Sequence, residues 1–464
     1  MSTEKALTKQ NLWGEYKTTS ASIATLITVL AILMARGWGA QSRVDWEETF
    51  GIGLALTKNT AAIWEPNNYG VLTARLLHLI VVQLPLIHLP VYIFVIATLF
   101  WMVCLITIFG SVLFVTKNRL FASMVVIGLA LLPTPVIGGQ GVIQGSWWLQ
   151  TFTLMVVLAA FPVLDPLGKR GISVLIFTAI TVASFPVAMC LAVPSIFALT
   201  FSGRPFKKWD ATLVGAFVVG SVYQVAVFSR RESVMSYLGE WAPNQKNEIT
   251  ANYIWSEMSA MDRRALPRMS LGELPRSLYI SVNSTYSELM PEPLSSLIRV
   301  DKSWVFILFV MTSLVVLVLS VTMVYLRMEN KRITNFVIRL TIFLVPIFIF
   351  QFMTVGTIQN FQYANLFDMA YVVIVCGLII SCINQRKYLN TALTAGLTLI
   401  FVVSASQLFR DSNRYGSGWV SGYETAKSQC NLETPEEVVV IAQSTTATSN
   451  QEFSPIGLRC RYLK

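Results

Sequence analysis

Residues 89–115 read LPVYIFVIATLFWMVCLITIFGSVLFV, an apolar run without a charged residue. A helix needs about 20 apolar residues to cross a bilayer, so this run is long enough to span one. Further apolar runs recur along the chain, near 21–40, 120–138, 146–163, 171–201, 211–229, 304–326, 333–353, 366–382 and 389–409.

The composition agrees with a membrane protein. Of the 464 residues, 54% are hydrophobic and 13% are charged, whereas about 25% of the residues of a soluble protein are charged. Only helices and closed barrels satisfy their backbone in hydrocarbon, and apolar runs of this length exclude a barrel. The sequence therefore predicts an all-α polytopic membrane protein with about 10–11 transmembrane helices.

Lysine and arginine indicate the orientation of the chain. Most short loops are basic, but loops 138–146 and 354–367 have neither residue. Basic loops are cytoplasmic, so the N-terminus is expected inside, with loops 41–88 and 230–303 and tail 410–464 outside. Basic loops contribute to the net charge of +10, so this charge does not indicate a nucleic-acid partner.

The run 171–201 is too long for one span and too short for two full ones. Basic loops flank it on both sides, so both of its ends are expected in the cytoplasm. The chain should turn back near 184–189, where Pro186 can break the helix. Two short helices and a re-entrant segment fit this pattern equally well, and either indicates an internal cavity.

The first outer loop begins with VDWEETF, residues 44–50, which contains three carboxylates: Asp45, Glu47 and Glu48. Acids of this kind stabilise the N-terminus of a surface helix through its dipole. They are also the residue type that serves as a catalytic base. As candidate bases we rank Asp45 first because it is nearest the span, Glu48 second because it shares that helical face, and Glu47 third.

Cations follow in the same loop. A helix is predicted from Val71 to about Leu84, and Arg75 and His78 lie three residues apart on one face of it. Lysine and arginine outside the membrane run against the positive-inside rule, so Arg43, Lys58 and Arg75 indicate an anionic partner such as a lipid phosphate. His78 is a further candidate ligand of the donor phosphate, and an interfacial or packing role is its alternative. Snorkelling to headgroups is the alternative for Arg75. Arg230 and Arg231, at the outer end of a span, are equally suited to phosphate and to lipid anchoring.

This layout resembles the GT-C glycosyltransferases, polytopic enzymes that take a sugar from a polyprenyl-phosphate carrier on the outer side of the membrane. In that class an acid soon after the first span is the base, and short surface helices follow it. The resemblance implies a catalytic role for Asp45, Glu47 or Glu48. The length, the mid-chain hairpin and the tail with Cys430 and Cys460 also resemble serotype-converting O-antigen glucosyltransferases of the Gtr type.

Polar and aromatic side chains at outer positions are candidates for binding sugar. Trp147 and Trp148 lie at the outer end of a span and suit either an aromatic belt or a stacking surface for sugar. Asp368 is a reserve second acid. The candidate sugar or acceptor residues are Asn68, Tyr69, Trp147, Trp148 and Asp368.

The chain divides into a membrane domain, 1–409, and a periplasmic tail, 410–464. In the tail a helix is predicted to about Gln429 and a strand in EVVVIAQ, residues 437–443. Cys430 and Cys460 face an oxidising compartment, where a single pair forms a disulfide more often than two free thiols. The tail is too small to be a separate enzyme, so we interpret it as a lid or an acceptor platform.

The expected function is transfer of a sugar from a polyprenyl-phosphate donor to a surface polysaccharide such as O-antigen. The resemblance to the Gtr type implies that the sugar is glucose. The expected location is a bacterial inner membrane. An O-antigen polymerase or ligase using arginines of loop 230–303, a lipid-linked glycan transporter or flippase, and a non-enzymatic scaffold are the alternatives. No metal-ligand cluster or resident cofactor is evident, and either a cation side chain or Mg²⁺ suits the leaving phosphate.

Overall fold

The computed structural model describes residues 20–35, 37, 44, 46–64, 70–131, 143, 146–160, 169–201, 208–229, 331–355, 364–385, 418–430, 438–441 and 456–463. Within these ranges the chain is mostly helical. In chain order the helices are α1 (Ser20–Ala35), α2 (Trp46–Lys58), α3 (Leu72–Val81), α4 (Leu89–Thr116), α5 (Arg119–Leu131), α6 (Ser146–Ala160), α7 (Lys169–Ser184), α8 (Ala192–Phe201), α9 (Lys208–Phe228), α10 (Lys331–Val355), α11 (Ala364–Gln385) and α12 (Trp419–Gln429).

The predicted apolar runs coincide with helices wherever the structure describes them. Runs 304–326 and 389–409, like loop 230–303, lie outside the described residues. Among the described residues one helical segment, Leu86–Thr116, is both long and apolar enough to cross a membrane, with 31 residues and a mean hydropathy of 2.6 over its 18-residue apolar window. The other apolar helices in that search are shorter, such as Ser146–Ala160.

The predicted break in the run 171–201 is confirmed. Helix α7 ends at Ser184, and Phe185 is extended, with φ −156° and ψ 116°. A 3₁₀ turn over Pro186–Leu191 then leads into α8. Proline has no N–H and its ring clashes with the preceding helical turn, so the helix stops before Pro186.

Helix α6 lies at the centre of the bundle, and every one of its residues is buried. It packs against α4 and α7, and α7 in turn packs along α9. Helix α4 has a different outer face, where large apolar side chains recur every three or four residues and remain exposed. These are Val91, Val95, Leu99, Val103 and Ile106, with exposed fractions of 37–61%. A continuous exposed apolar stripe of this kind is rare on a protein surrounded by water.

The tail forms a small α/β unit around the predicted disulfide. Helix α12 packs against β1 (Val438–Ile441), which pairs antiparallel with β2 (Ile456–Arg459), Val438 lying opposite Arg459. The predicted helix and the predicted strand are both present, and the second strand was not predicted. Cys430 and Cys460 form a disulfide, with their Cα atoms 5.4 Å apart.

Candidate functional site

Two of the candidate residues from segment 41–88 meet in the interior. Glu48, in the first turn of α2, places its Oε2 atom 2.5 Å from Nε2 of His78 on α3. Both side chains are buried, with exposed fractions of 1% for Glu48 and 0% for His78. The sequence pointed to these residues separately, one as a base and one as a phosphate ligand. The structure joins them in one carboxylate–imidazole pair.

The pair depends on a glycine one turn along α2. A Cβ atom added at Gly51 would lie 2.2 Å from both Cε1 and Nδ1 of His78. Only a residue without a side chain allows the imidazole to lie against the backbone of α2 at this distance. Glycine in a helix interior costs about 1 kcal/mol relative to alanine. No local pattern in the sequence marks Gly51 as a contact of His78.

Arg75 lies one turn before His78 on α3, as the spacing predicted, and its exposed fraction is 0%. A buried guanidinium is expensive unless polar or anionic groups surround it. One such neighbour is Tyr223 of α9, whose phenol lies close enough for the charge of Arg75 to act on it. The tyrosine hydroxyl itself donates a hydrogen bond to the carbonyl of Ile63, which lies between α2 and α3.

The start of α3 is fixed to the broken helix by a glutamine. The amide nitrogen of Gln224 donates to the carbonyls of Gly70, Val182 and Ala183 at 2.9–3.0 Å. Its amide oxygen accepts from the N–H of Gly70 at 2.8 Å. One side chain of α9 therefore binds both Gly70, two residues before α3 begins, and the end of α7.

A second polar contact joins α3 to the end of α7. The hydroxyls of Thr73 and Ser184 lie 2.7 Å apart, and the backbone N–H of Thr73 donates to Ser184 Oγ at 3.0 Å. Thr73 is two residues before Arg75. The helix break at Pro186 thus occurs beside the segment that carries the buried cation.

Trp147 and Trp148 lie in the core. Their exposed fractions are 5% and 3%, and both rings contact Phe185, at centroid distances of 5.9 and 4.6 Å. Phe185 is the extended residue at the helix break. The structure therefore favours a packing role for the two indoles over an open stacking surface or an aromatic belt.

The remaining candidates cannot be placed in the site. Glu47 lies in the first turn of α2 and Asp368 near the start of α11. The others lie outside the described residues: Arg43, Asp45, Asn68, Tyr69, Arg230 and Arg231. Of the three acids in VDWEETF, Glu48 is the one whose side-chain position the structure gives.

The pair has the parts needed for acid–base chemistry. A carboxylate held by an imidazole accepts a proton from a hydroxyl group, and the imidazole orients the carboxylate. A helix-dipole role explains an acid in the first turn of α2. It does not explain why that acid is buried against a histidine, because burying an ionisable pair rarely adds stability. Within the described ranges no three His, Cys, Asp or Glu side chains are grouped as metal ligands.

The tail contacts α2 and the 3₁₀ turn Leu86–His88 that follows α3, and the sequence did not predict these contacts. The indole Nε1 of Trp419 donates to the carbonyl of Leu86 at 2.8 Å. The hydroxyl of Tyr462 donates to the carbonyl of Leu56 at 2.9 Å.

No protein-family model matches this chain, and no curated protein matches it.

Proposed function

We propose that this protein is a polytopic membrane glycosyltransferase of the GT-C type. It transfers a sugar from a polyprenyl-phosphate donor to a surface polysaccharide such as O-antigen. The resemblance to the Gtr-type enzymes indicates that this sugar is glucose. The observation that carries the proposal is the buried Glu48–His78 pair in the first outer loop, with buried Arg75 one turn away. An acid and a cation of the same loop are thus brought into one region, as such a transfer requires.

The exposed apolar faces support a membrane location. Helix α4 exposes its apolar stripe, and α9 exposes Val218, Val219, Val222 and Val225 at 53–69%. Contact between such faces and water carries the free-energy cost of exposing apolar surface, whereas contact with lipid tails does not. Among the described residues, Glu48, Arg75, His78 and Gln150 are buried polar or charged side chains. The proposed setting is a bacterial inner membrane, with the first loop and the disulfide-bonded tail in the periplasm.

The chemistry can be written as a single displacement. Glu48 takes the proton of an acceptor hydroxyl, and the acceptor oxygen forms a bond to the anomeric carbon of the donor. The bond from that carbon to the phosphate oxygen breaks, and its electron pair leaves with polyprenyl phosphate. Arg75 supplies positive charge for this leaving group, while His78 holds Glu48 in place.

The burial of the pair fits this role. Electrostatic interactions are stronger where water is excluded, so a base and a cation act more strongly there than at a wet surface. Asp45 remains a candidate base in the same segment. For this reason the test below includes all three acids.

The experiment measures transfer of label to polysaccharide. Membranes with and without the protein receive polyprenyl phosphate carrying radiolabelled glucose, together with surface polysaccharide as acceptor. We expect label to enter polysaccharide only with the protein. We expect Glu48→Gln to lower transfer by about 10²-fold or more, the usual contribution of a general base. Asp45→Asn and Glu47→Gln are measured alongside.

Glu424→Gln is the matched control, because Glu424 is an exposed acid on α12 of the tail. It should transfer label at the wild-type rate. If wild-type membranes do not consume the donor, or if all three loop variants transfer normally, the proposal is wrong.

A transporter of lipid-linked glycans is the competing function. The buried pair Glu48–His78 favours the transporter function, because ionisable residues inside membrane proteins often mark transport pathways. The two functions differ in their product. A transporter moves the labelled lipid across the bilayer and leaves the sugar–phosphate bond intact, whereas the transferase releases polyprenyl phosphate.

A further inference from the structure

The tail reaches the first outer loop at two separate points. Trp419, the first residue of α12, has an exposed fraction of 1% and binds the carbonyl of Leu86. Tyr462, in the 3₁₀ turn Cys460–Tyr462, binds the carbonyl of Leu56. The two bonds join residues 333 and 406 positions apart in the sequence.

The two acceptor carbonyls lie at the far ends of the segments that carry the pair. Leu56 is in the last turn of α2, the helix that begins beside Glu48. Leu86 follows the turn after α3, the helix of His78. The tail therefore binds α2 directly, and it binds the 3₁₀ turn Leu86–His88, which joins α3 to α4.

The disulfide connects these two anchors. Cys430 directly follows α12, whose first residue is Trp419, and Cys460 lies two residues before Tyr462. Without the disulfide, the shortest covalent path between the cysteines runs through the 30 positions that separate them. The disulfide thus links two hydrogen bonds, one to α2 and one to the turn that follows α3.

We propose that Trp419 and Tyr462 are positioning residues, and that the tail is a disulfide-closed clasp that sets the distance between Glu48 and His78. This inference deepens the proposed function, since it assigns residues that position its site. A carboxylate–imidazole contact of 2.5 Å tolerates little movement of either helix. Loss of the Tyr462 anchor should loosen α2, loss of the Trp419 anchor should loosen α3 through the turn that follows it, and reduction of the disulfide should loosen both.

Hydrogen–deuterium exchange of the full chain in detergent tests the clasp without any assay of sugar transfer. Peptides covering 46–58 and 72–81 are followed in the wild type and in Tyr462→Phe, which removes only the hydroxyl. Losing one hydrogen bond to the backbone should raise the exchange rate of α2 about 5-fold. The peptide of α3 should change less, because its anchor is Trp419.

Tyr423→Phe is the matched control. Tyr423 is a buried tyrosine of α12, and its hydroxyl makes no hydrogen bond to the part of the chain that the structure describes. Its variant should leave exchange in both peptides unchanged. Trp419→Phe is the second variant, and it should raise exchange in the α3 peptide.

Reduction gives the complementary result. The double variant Cys430→Ser with Cys460→Ser should raise exchange in both peptides while the core helix α6 stays protected. If the double variant and Tyr462→Phe change exchange only within 418–463, the tail does not position the pair and the inference is overturned. The exchange experiment does not depend on sugar transfer. A protein that transfers no sugar still reveals by its exchange pattern whether the tail positions the pair, so failure of the clasp and failure of the proposed function are distinguishable.

Discussion

Replacing Gly51 by alanine should break the contact between Glu48 and His78. The added methyl group would lie 2.2 Å from Cε1 and Nδ1 of the imidazole, whereas ordinary contacts begin at 3.4 Å. The ring must therefore move by about 1.2 Å, or α2 and α3 must separate by that amount. A 2.5 Å contact lengthened by such a shift is no longer a hydrogen bond of normal geometry.

The energy of this change can be bounded. Overpacking in a core costs about 1–3 kcal/mol, and a buried polar group without its partner costs about 1–3 kcal/mol more. Alanine regains about 1 kcal/mol of helix propensity. We expect Gly51→Ala to lower the free energy of unfolding by roughly 1–5 kcal/mol. Transfer activity should fall by about 10²-fold, as for a 1 Å misplacement of a catalytic group.

The assays are thermal unfolding in detergent and the transfer of labelled sugar by membranes. Gly110→Ala is the matched control, because a Cβ at this helical glycine of α4 meets nothing within 4 Å. That control should be as stable as the wild type or more stable by up to about 1 kcal/mol. The reasoning is refuted if Gly51→Ala has the stability and activity of the control.

Three further predictions concern the supports of the site. Gln224→Met removes four hydrogen bonds to backbone groups; it should lower the melting temperature, while Gln83→Met, at an exposed position, should not. The double variant Cys430→Ser with Cys460→Ser should cost about 3–4 kcal/mol by the chain-entropy estimate, read from denaturant unfolding. Burial raises the pKa of Tyr423 above its usual 10.0. The stability that this shift contributes is fully present below pH 10.0 and is lost as the pH rises through the folded-state pKa. The wild type should therefore lose more stability than Tyr423→Phe as the pH rises above 10.0.

Short-range signals in the sequence predicted much of the fold. Pro186 ended a helix where its missing N–H required it to, and the periodic run after Gly70 formed α3 within a few residues of the predicted bounds. The spacing of Arg75 and His78 on one helical face was also predicted. Each of these rests on residues within one or two turns of each other, which local rules describe well.

The pairing of the site residues could not be predicted in this way. The contact between Glu48 and His78 depends on how α2 crosses α3, and that crossing depends on Gly51, which has no side chain to attract attention. The same limit applies to Trp147 and Trp148. Their position at the end of a run predicted an interface, but their orientation is set by Phe185, on the far side of a helix break.

The tail anchors are a third case. Trp419 and Tyr462 bind backbone carbonyls more than 300 positions away in the sequence. A carbonyl is present at every residue, so no residue type marks the acceptor. The disulfide, in contrast, was predictable because cysteine is a rare residue and the tail contains a single pair.

The central claim is that Glu48 and His78 act as one unit in sugar transfer, and a double-mutant cycle measures this directly. Transfer of labelled sugar is compared for the wild type, Glu48→Gln, His78→Leu and the variant with both changes. If the pair is one unit, each single variant loses about 10²-fold or more and the double variant is little worse than Glu48→Gln. Losses that multiply in the double variant, or full activity in Glu48→Gln, would contradict the claim.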